Sequence, residues 1–246
     1  MLYGGVLFAM SVGTAPRDDH AAPLRRVPIL LCLALILIYP LISVPVQASI
    51  SALAPKLGMV EARVVTEAAI WLYAAIILAI ALLWEGRTLA SIGFRKFTFG
   101  SLALAIGGAA AMIGAGALAS YVVYDLLHQP QHAEAQAAAL AAGSVGYAVC
   151  LAIRAGVIEE ILFRGLAINQ LMALTGRRWL SAIIPGVVFV LIHALHFDWI
   201  QLVPIAAITV VITILYMWRR NLWANIVAHI IVDALGLITL AMQTHK

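Results

Sequence analysis

Charge is the scarcest property of this sequence. Only 11% of its 246 residues are Asp, Glu, Lys or Arg, where a soluble domain carries about a quarter. Hydrophobic residues make up 64%, and the mean hydropathy is +1.04. So few polar side chains could not cover a globule in water, which excludes a soluble domain. Cysteine is nearly absent: Cys32 and Cys150 both lie inside apolar runs, too few for a cysteine-based metal site. They read as packed or lipid-facing thiols rather than a disulfide. The opening "MLYGGVLFAMSVGTAPRDDH" has no basic residue ahead of its apolar part, so it makes a poor signal peptide and reads as a short tail or an early start. Internal repeats and low-complexity linkers are missing as well, so one domain is expected. The net charge of +4 carries no nucleic-acid signal, because in a chain of this composition the position of basic residues matters more than their sum.

What is abundant is long apolar runs. They predict an all-α, polytopic transmembrane helix bundle with spans near 28–50, 64–84, 100–124, 145–172, 180–197, 200–217 and 222–242. That is about seven spans, or eight if another lies near the N-terminus or in 134–144. The first span contains Pro40 and Pro45, so a kink or break is expected there. The third, "GSLALAIGGAAAMIGAGALAS", is built from small residues and predicts close helix packing. The segment "HAEAQAAALAAG" reads as a short helix at the membrane surface. Basic residues cluster at alternate ends: Arg17, Arg25 and Arg26, then Arg87, Arg95 and Lys96, then Arg177 and Arg178, then Arg219 and Arg220. The opposite ends hold only Lys56, Arg63 and Lys246. The positive-inside rule puts the N-terminus in the cytoplasm, with residues 1–27 as a tail and 28–246 as one membrane domain, in a bacterial-type inner or plasma membrane. The basic face implies contact with anionic membrane lipids, not a charged substrate.

Against this background the fourth span stands out. "RAGVIEEILFRG" carries Arg154, Glu159, Glu160 and Arg164. A charged side chain at mid-bilayer costs roughly 2.5–3.5 kcal/mol, so such groups face the bundle interior and mark function, with a helix-locking ion pair as the bland alternative. Glu160 and Arg164 are four apart and share a helix face, the acid leading. Glu159 points about 100° away and has no such partner. A carboxylate not neutralised locally keeps the basicity that a general base needs near neutrality, so Glu159 is the expected base. Gly156 and Gly165 flank it and leave room for a neighbouring backbone or a substrate. In the fifth span Phe189 and His193 are four apart, with His196 a turn later; in the seventh, His229 and Asp233 are four apart, so that the carboxylate could hold the imidazole in one tautomer. Alone, each pair is weak. All three sites fall near mid-span, and offsets of three residues amount to about 4.5 Å, which helix tilt absorbs.

The ordered set Glu159-Glu160-x-x-x-Arg164, Phe189-x-x-x-His193 and His229-x-x-x-Asp233 on successive helices resembles the CAAX-protease and bacteriocin-processing (Abi) family of intramembrane endopeptidases, which includes the type II CAAX prenyl proteases. The likeness covers roughly 140–240, the expected peptidase core. The stretch "EGRTLASIGFR" is similar to the family's segment before its core. The resemblance implies that Glu159 and His193 activate a water on the scissile carbonyl and that His229 and position 233 stabilise the oxyanion. Glu160 belongs to the same catalytic set, with Arg164 and Phe189 in support. Many family members have Asn where this chain has Asp233; an Asp donates only when protonated, so here it either orients His229 or stays neutral. A metal-free glutamate mechanism with no cofactor is the favoured expectation. The alternative is a zinc held by Glu159, His193 and His229, a His₂Glu set that keeps one position for water. The implied substrate is a membrane-embedded or lipidated, CAAX-like peptide or protein. Two other classes stay open: a non-catalytic membrane scaffold or immunity protein, and a proton-coupled transporter, against which stand the missing inverted repeat and the missing pair of broken helices.

Overall fold

A computed structural model describes residues 25–129, 145–195 and 197–243. The tail before Arg25, the surface helix expected in 132–143, and His196 lie outside them. The described residues contain helices and no strands. In chain order these are α1 (Arg26–Leu57), α2 (Met59–Ala79, run on by a wide π turn over Ile80–Trp84), α3 (Phe99–Ser120, run on by another over Tyr121–Leu126), α4 (Val145–Glu159), α5 (Ile168–Thr175), α6 (Arg178–His193), α7 (Leu202–Arg219) and α8 (Leu222–Gln243). Between α4 and α5 the chain stays helical but widens into a third π segment, Glu160–Ala167, so that α4 to α5 forms one long rod. The break expected at Pro40 and Pro45 does not occur, and the backbone remains helical from Arg26 to Leu57.

Among the described residues four helices are long and apolar enough to cross a membrane: Val60–Trp84, Phe99–Leu126, Leu202–Arg219 and Leu222–Thr239. Arg26–Leu41, the first half of α1, and Arg178–His193 are shorter apolar stretches among the described residues. The distribution of side chains is that of a bilayer protein turned towards lipid. Leu83, Leu72, Leu118 and Val187 are exposed, whereas Glu160, Arg164, Gln170, Ser181 and Asn225 are buried. Lipid solvates apolar surface as well as a protein core does, so packing of small residues and polar contacts hold such helices together.

Both devices are visible. On α3 a Cβ at Gly108 would lie 2.6 Å from a Leu215 methyl of α7, and one at Gly116 2.9 Å from Ile208, so the small-residue face expected from sequence packs α3 against α7 and α8. The loop after α2 docks on the other end of the bundle. Gly93 takes φ +100° there, and a Cβ on it would meet the Tyr216 ring at 3.0 Å. Leu222 N–H donates to Gly93 O at 2.8 Å, and the Tyr216 hydroxyl to Ile92 O at 3.1 Å. Gln170 donates to Glu85 at 2.7 Å, joining α5 to the end of α2. Cys32 is buried and Cys150 exposed, both as free thiols.

Candidate active site

The π segment sets the position of the charged groups. A wide turn inserts one extra residue into the helical repeat, and such turns are frequent where function needs a re-aimed side chain. Here it starts at Glu160, directly after Glu159. The Asn169 amide donates to Gly165 O at 2.6 Å and to the Tyr216 hydroxyl at 2.7 Å, tying the far end of the segment to α7. Gly156 and Gly165 make room for backbone, not for a ligand. A Cβ at Gly156 would stand 2.5 Å from Ile230 Cγ1 and 3.0 Å from Ile230 N; one at Gly165 would stand 3.3 Å from Ile92 O. This close approach seats α4 along α8.

Glu160 lies at the centre of a closed network. It is 0% exposed, and Arg164, 1% exposed, donates to its Oε1 at 2.6 Å. The same oxygen is 2.9 Å from His229 Nδ1, and Asn225 Nδ2 donates to Oε2 at 3.2 Å. A carboxylate held by an arginine can only accept, so Nδ1 of His229 carries the proton it donates. That contact leaves the other ring nitrogen to face the opposite way. His229 Nε2 lies 3.9 Å from Glu159 Oε2 and 3.5 Å from Asp233 Oδ2. The tighter hold on the imidazole therefore comes from Glu160, across two helices, while Asp233 flanks the outward nitrogen. Arg164 also stacks over the Phe189 ring at 4.4 Å, and Phe189 meets Phe163 edge-on at 5.1 Å.

Glu159, His193, His229 and Asp233 all line one cavity of about 410 Å³. Its remaining wall is largely apolar, with Met112, Ile208 and Ile212 from α3 and α7. His193 Nδ1 sits 2.6 Å from the Phe189 carbonyl, which can only accept, so in the neutral ring Nε2 is left as an acceptor. Phe189 packs beside both histidines, its ring centre 4.7 Å from that of His193 and 6.4 Å from that of His229. The structure thus brings all seven residues singled out from the sequence to one place. It also adds one member that sequence reading passed over and gives Arg154 a partner. Asn225 holds Glu160 from α8; it lies four residues before His229, and that spacing was the available signal. Arg154 lines the cavity and pairs with Glu67 of α2 at 3.1 Å, an ion pair without hydrogen-bond alignment at Nε.

As arranged, these groups do not form a metal cage. Among the described residues no three His, Cys, Asp or Glu side chains converge closely enough to hold an ion.

Residues 141–235 match the family described as type II CAAX prenyl endopeptidase Rce1-like, in accord with the resemblance carried by the three motifs. That segment contains Glu159, Glu160, Arg164, Phe189, His193, His229 and Asp233. No curated protein and no solved structure matches the chain. The match spans 95 of the 246 residues and is a likeness to an endopeptidase family over that segment, in a chain whose described residues include four helices long and apolar enough to cross a membrane.

Proposed function

We propose that the cavity is the active site of an intramembrane endopeptidase that hydrolyses a membrane-associated or lipidated peptide. The observation that carries this reading is His229, fixed through Nδ1 by a buried carboxylate while Nε2 faces Glu159 across an apolar cavity. A packing role needs no such division between the two faces of one ring. In the reaction Glu159 takes a proton from a water that His193 Nε2 helps to orient, and the hydroxide adds to the scissile carbonyl carbon. His229 donates from Nε2 to the developing oxyanion when its ring carries a second proton, with Asp233 alongside. The intermediate then collapses, the C–N bond breaks, and Glu159 returns the proton to the leaving amine. Donors held in place in a dry site are worth several kcal/mol to such a step. Glu160, Arg164 and Asn225 keep the ring in position. The N-terminus is assigned to the cytoplasmic side of a bacterial-type inner or plasma membrane.

The test is cleavage of lipidated and plain peptides by detergent-purified protein, with and without a strong chelator. The expected result is cutting that survives the chelator and falls roughly a hundred- to ten-thousand-fold in Glu159→Gln. Chelator-sensitive cutting would replace the metal-free route by the zinc alternative. Equal cutting by both proteins would remove Glu159 as the base, and no cutting by either would favour a scaffold.

A further inference from the structure

A second hollow, of about 440 Å³, opens where the end of α7 meets the starts of α3 and α8, away from the reaction described above. Arg95, Arg219 and Arg220 line it together with Ser101 and Asn221, and no carboxylate does. Three guanidinium groups around one recess without a counter-charge leave an electrostatic deficit that an anion fills. Basic residues on one membrane face follow from the positive-inside rule, but that rule does not gather them around polar groups already locked in place.

The lining is locked. Thr98 and Ser101 form a reciprocal capping box at the start of α3, and Asn221 donates to Ser101 Oγ at 2.9 Å while its own oxygen accepts from Ala224 N–H at 3.3 Å. Arg220 holds a left-handed backbone, φ +49°, at the end of α7. One of its terminal nitrogens is tied to Asn169, the guanidinium stands 5.2 Å over the Tyr216 ring, and the other terminal nitrogen, Nη1, is shielded without a hydrogen-bond partner. Arg95 and Arg219 are exposed. The depth is that of lipid headgroups: Trp218, which carries Arg219 stacked at 4.8 Å, is exposed, as are Phe97 and Phe99 nearby. Aromatic side chains at helix ends mark the membrane–water boundary.

We propose that this hollow is a binding site for a phosphate group, supplied by the headgroup of an anionic phospholipid or by free phosphate. Guanidinium groups bind phosphate through paired, charge-assisted hydrogen bonds, and a recess at headgroup depth brings a lipid phosphate to them without any change of fold. The lipid's chains would run down the outside of α3 and α7. Two residues, Arg220 and Asn169, link the bound group to Gly165 and the segment that carries Glu160.

Native mass spectrometry of the purified protein, given an equal mixture of phosphatidylglycerol and phosphatidylcholine, tests this directly. Wild type is expected to retain phosphatidylglycerol preferentially, and Arg95→Gln/Arg219→Gln to lose that preference roughly tenfold. These two side chains are exposed, so the variant keeps its fold; Arg220 is spared because it anchors Asn169. The control is Arg177→Gln/Arg178→Gln, on the same face (Arg178 donates to Met217 O at 2.9 Å) but outside the hollow, and it should retain the preference. Thermal stability without added lipid separates the two sources. A rise with millimolar inorganic phosphate, absent in the Arg95/Arg219 variant, assigns free phosphate; a rise with phosphatidylglycerol alone assigns the headgroup. Equal retention of both lipids with no phosphate response, or the same loss in both double variants, overturns the site.

Discussion

Because Glu160 begins the π segment at 0% exposure, its charge is balanced entirely by protein groups: Arg164, His229 and Asn225. Glu159, one residue earlier, is half-buried on the cavity wall, with His229 Nε2 as its near polar neighbour. Under the proposed mechanism the adjacent carboxylates carry different duties, and substitution should separate them. Glu160→Gln leaves Arg164 with no carboxylate at 1% exposure; an arginine buried without its partner costs about 3–5 kcal/mol. The expected result is a clear loss of thermal stability in detergent, followed by intrinsic tryptophan fluorescence, together with loss of cleavage. Glu159→Gln should lose cleavage at unchanged stability. Equal destabilisation by the two would mean that Glu159, too, is part of the frame.

At the scale of elements, the site depends on how closely α4 and α8 approach. Gly156→Ala places a methyl 2.5 Å from Ile230 Cγ1 and 3.0 Å from its backbone nitrogen, so α8 must shift. Overpacking of this kind costs about 1–3 kcal/mol. Ile230 follows His229, so the shift also moves the imidazole, and cleavage should fall along with the melting temperature. Gly114→Ala on α3, with nothing within 4 Å of the added methyl, should be neutral or slightly stabilising, since alanine favours helix by up to about 1 kcal/mol. Local spacing made part of this legible in the sequence. Glu160 with Arg164, Phe189 with His193, and His229 with Asp233 lie four apart, and helical periodicity alone puts each pair on one face. The π segment left no mark, because neither proline nor a glycine pair announces it; the prolines that were conspicuous, at 40 and 45, sit in unbroken helix. Cross-helix partners were equally hidden, since His229 meets Glu160 from 69 residues away and no local pattern encodes that distance.

Across the whole molecule, the segment that matches the family supplies the proposed reacting groups, yet α2, outside it, holds one of the residues that line the same cavity. Arg154 lines the cavity five residues before Glu159 and is held 3.1 Å from Glu67 of α2. Arg154 also interacts with Tyr39 and Glu159, so without Glu67 more of its charge falls on Glu159, and a base paired with a guanidinium is a poor base. Glu67 therefore serves as a positioning residue that occupies the cation. Glu67→Gln should lower kcat about tenfold with little change in KM, since the lost group meets Arg154 and not the substrate. Adding Arg154→Gln to the same chain removes the freed cation and should restore most of kcat. A purely structural ion pair predicts a different pattern: stability would fall and recover across the same series while kcat per folded molecule stayed level. Measuring kcat, KM and melting temperature on the single and double variants distinguishes the two, and an unrestored kcat in a stable double variant would end the claim that Arg154 mediates the loss.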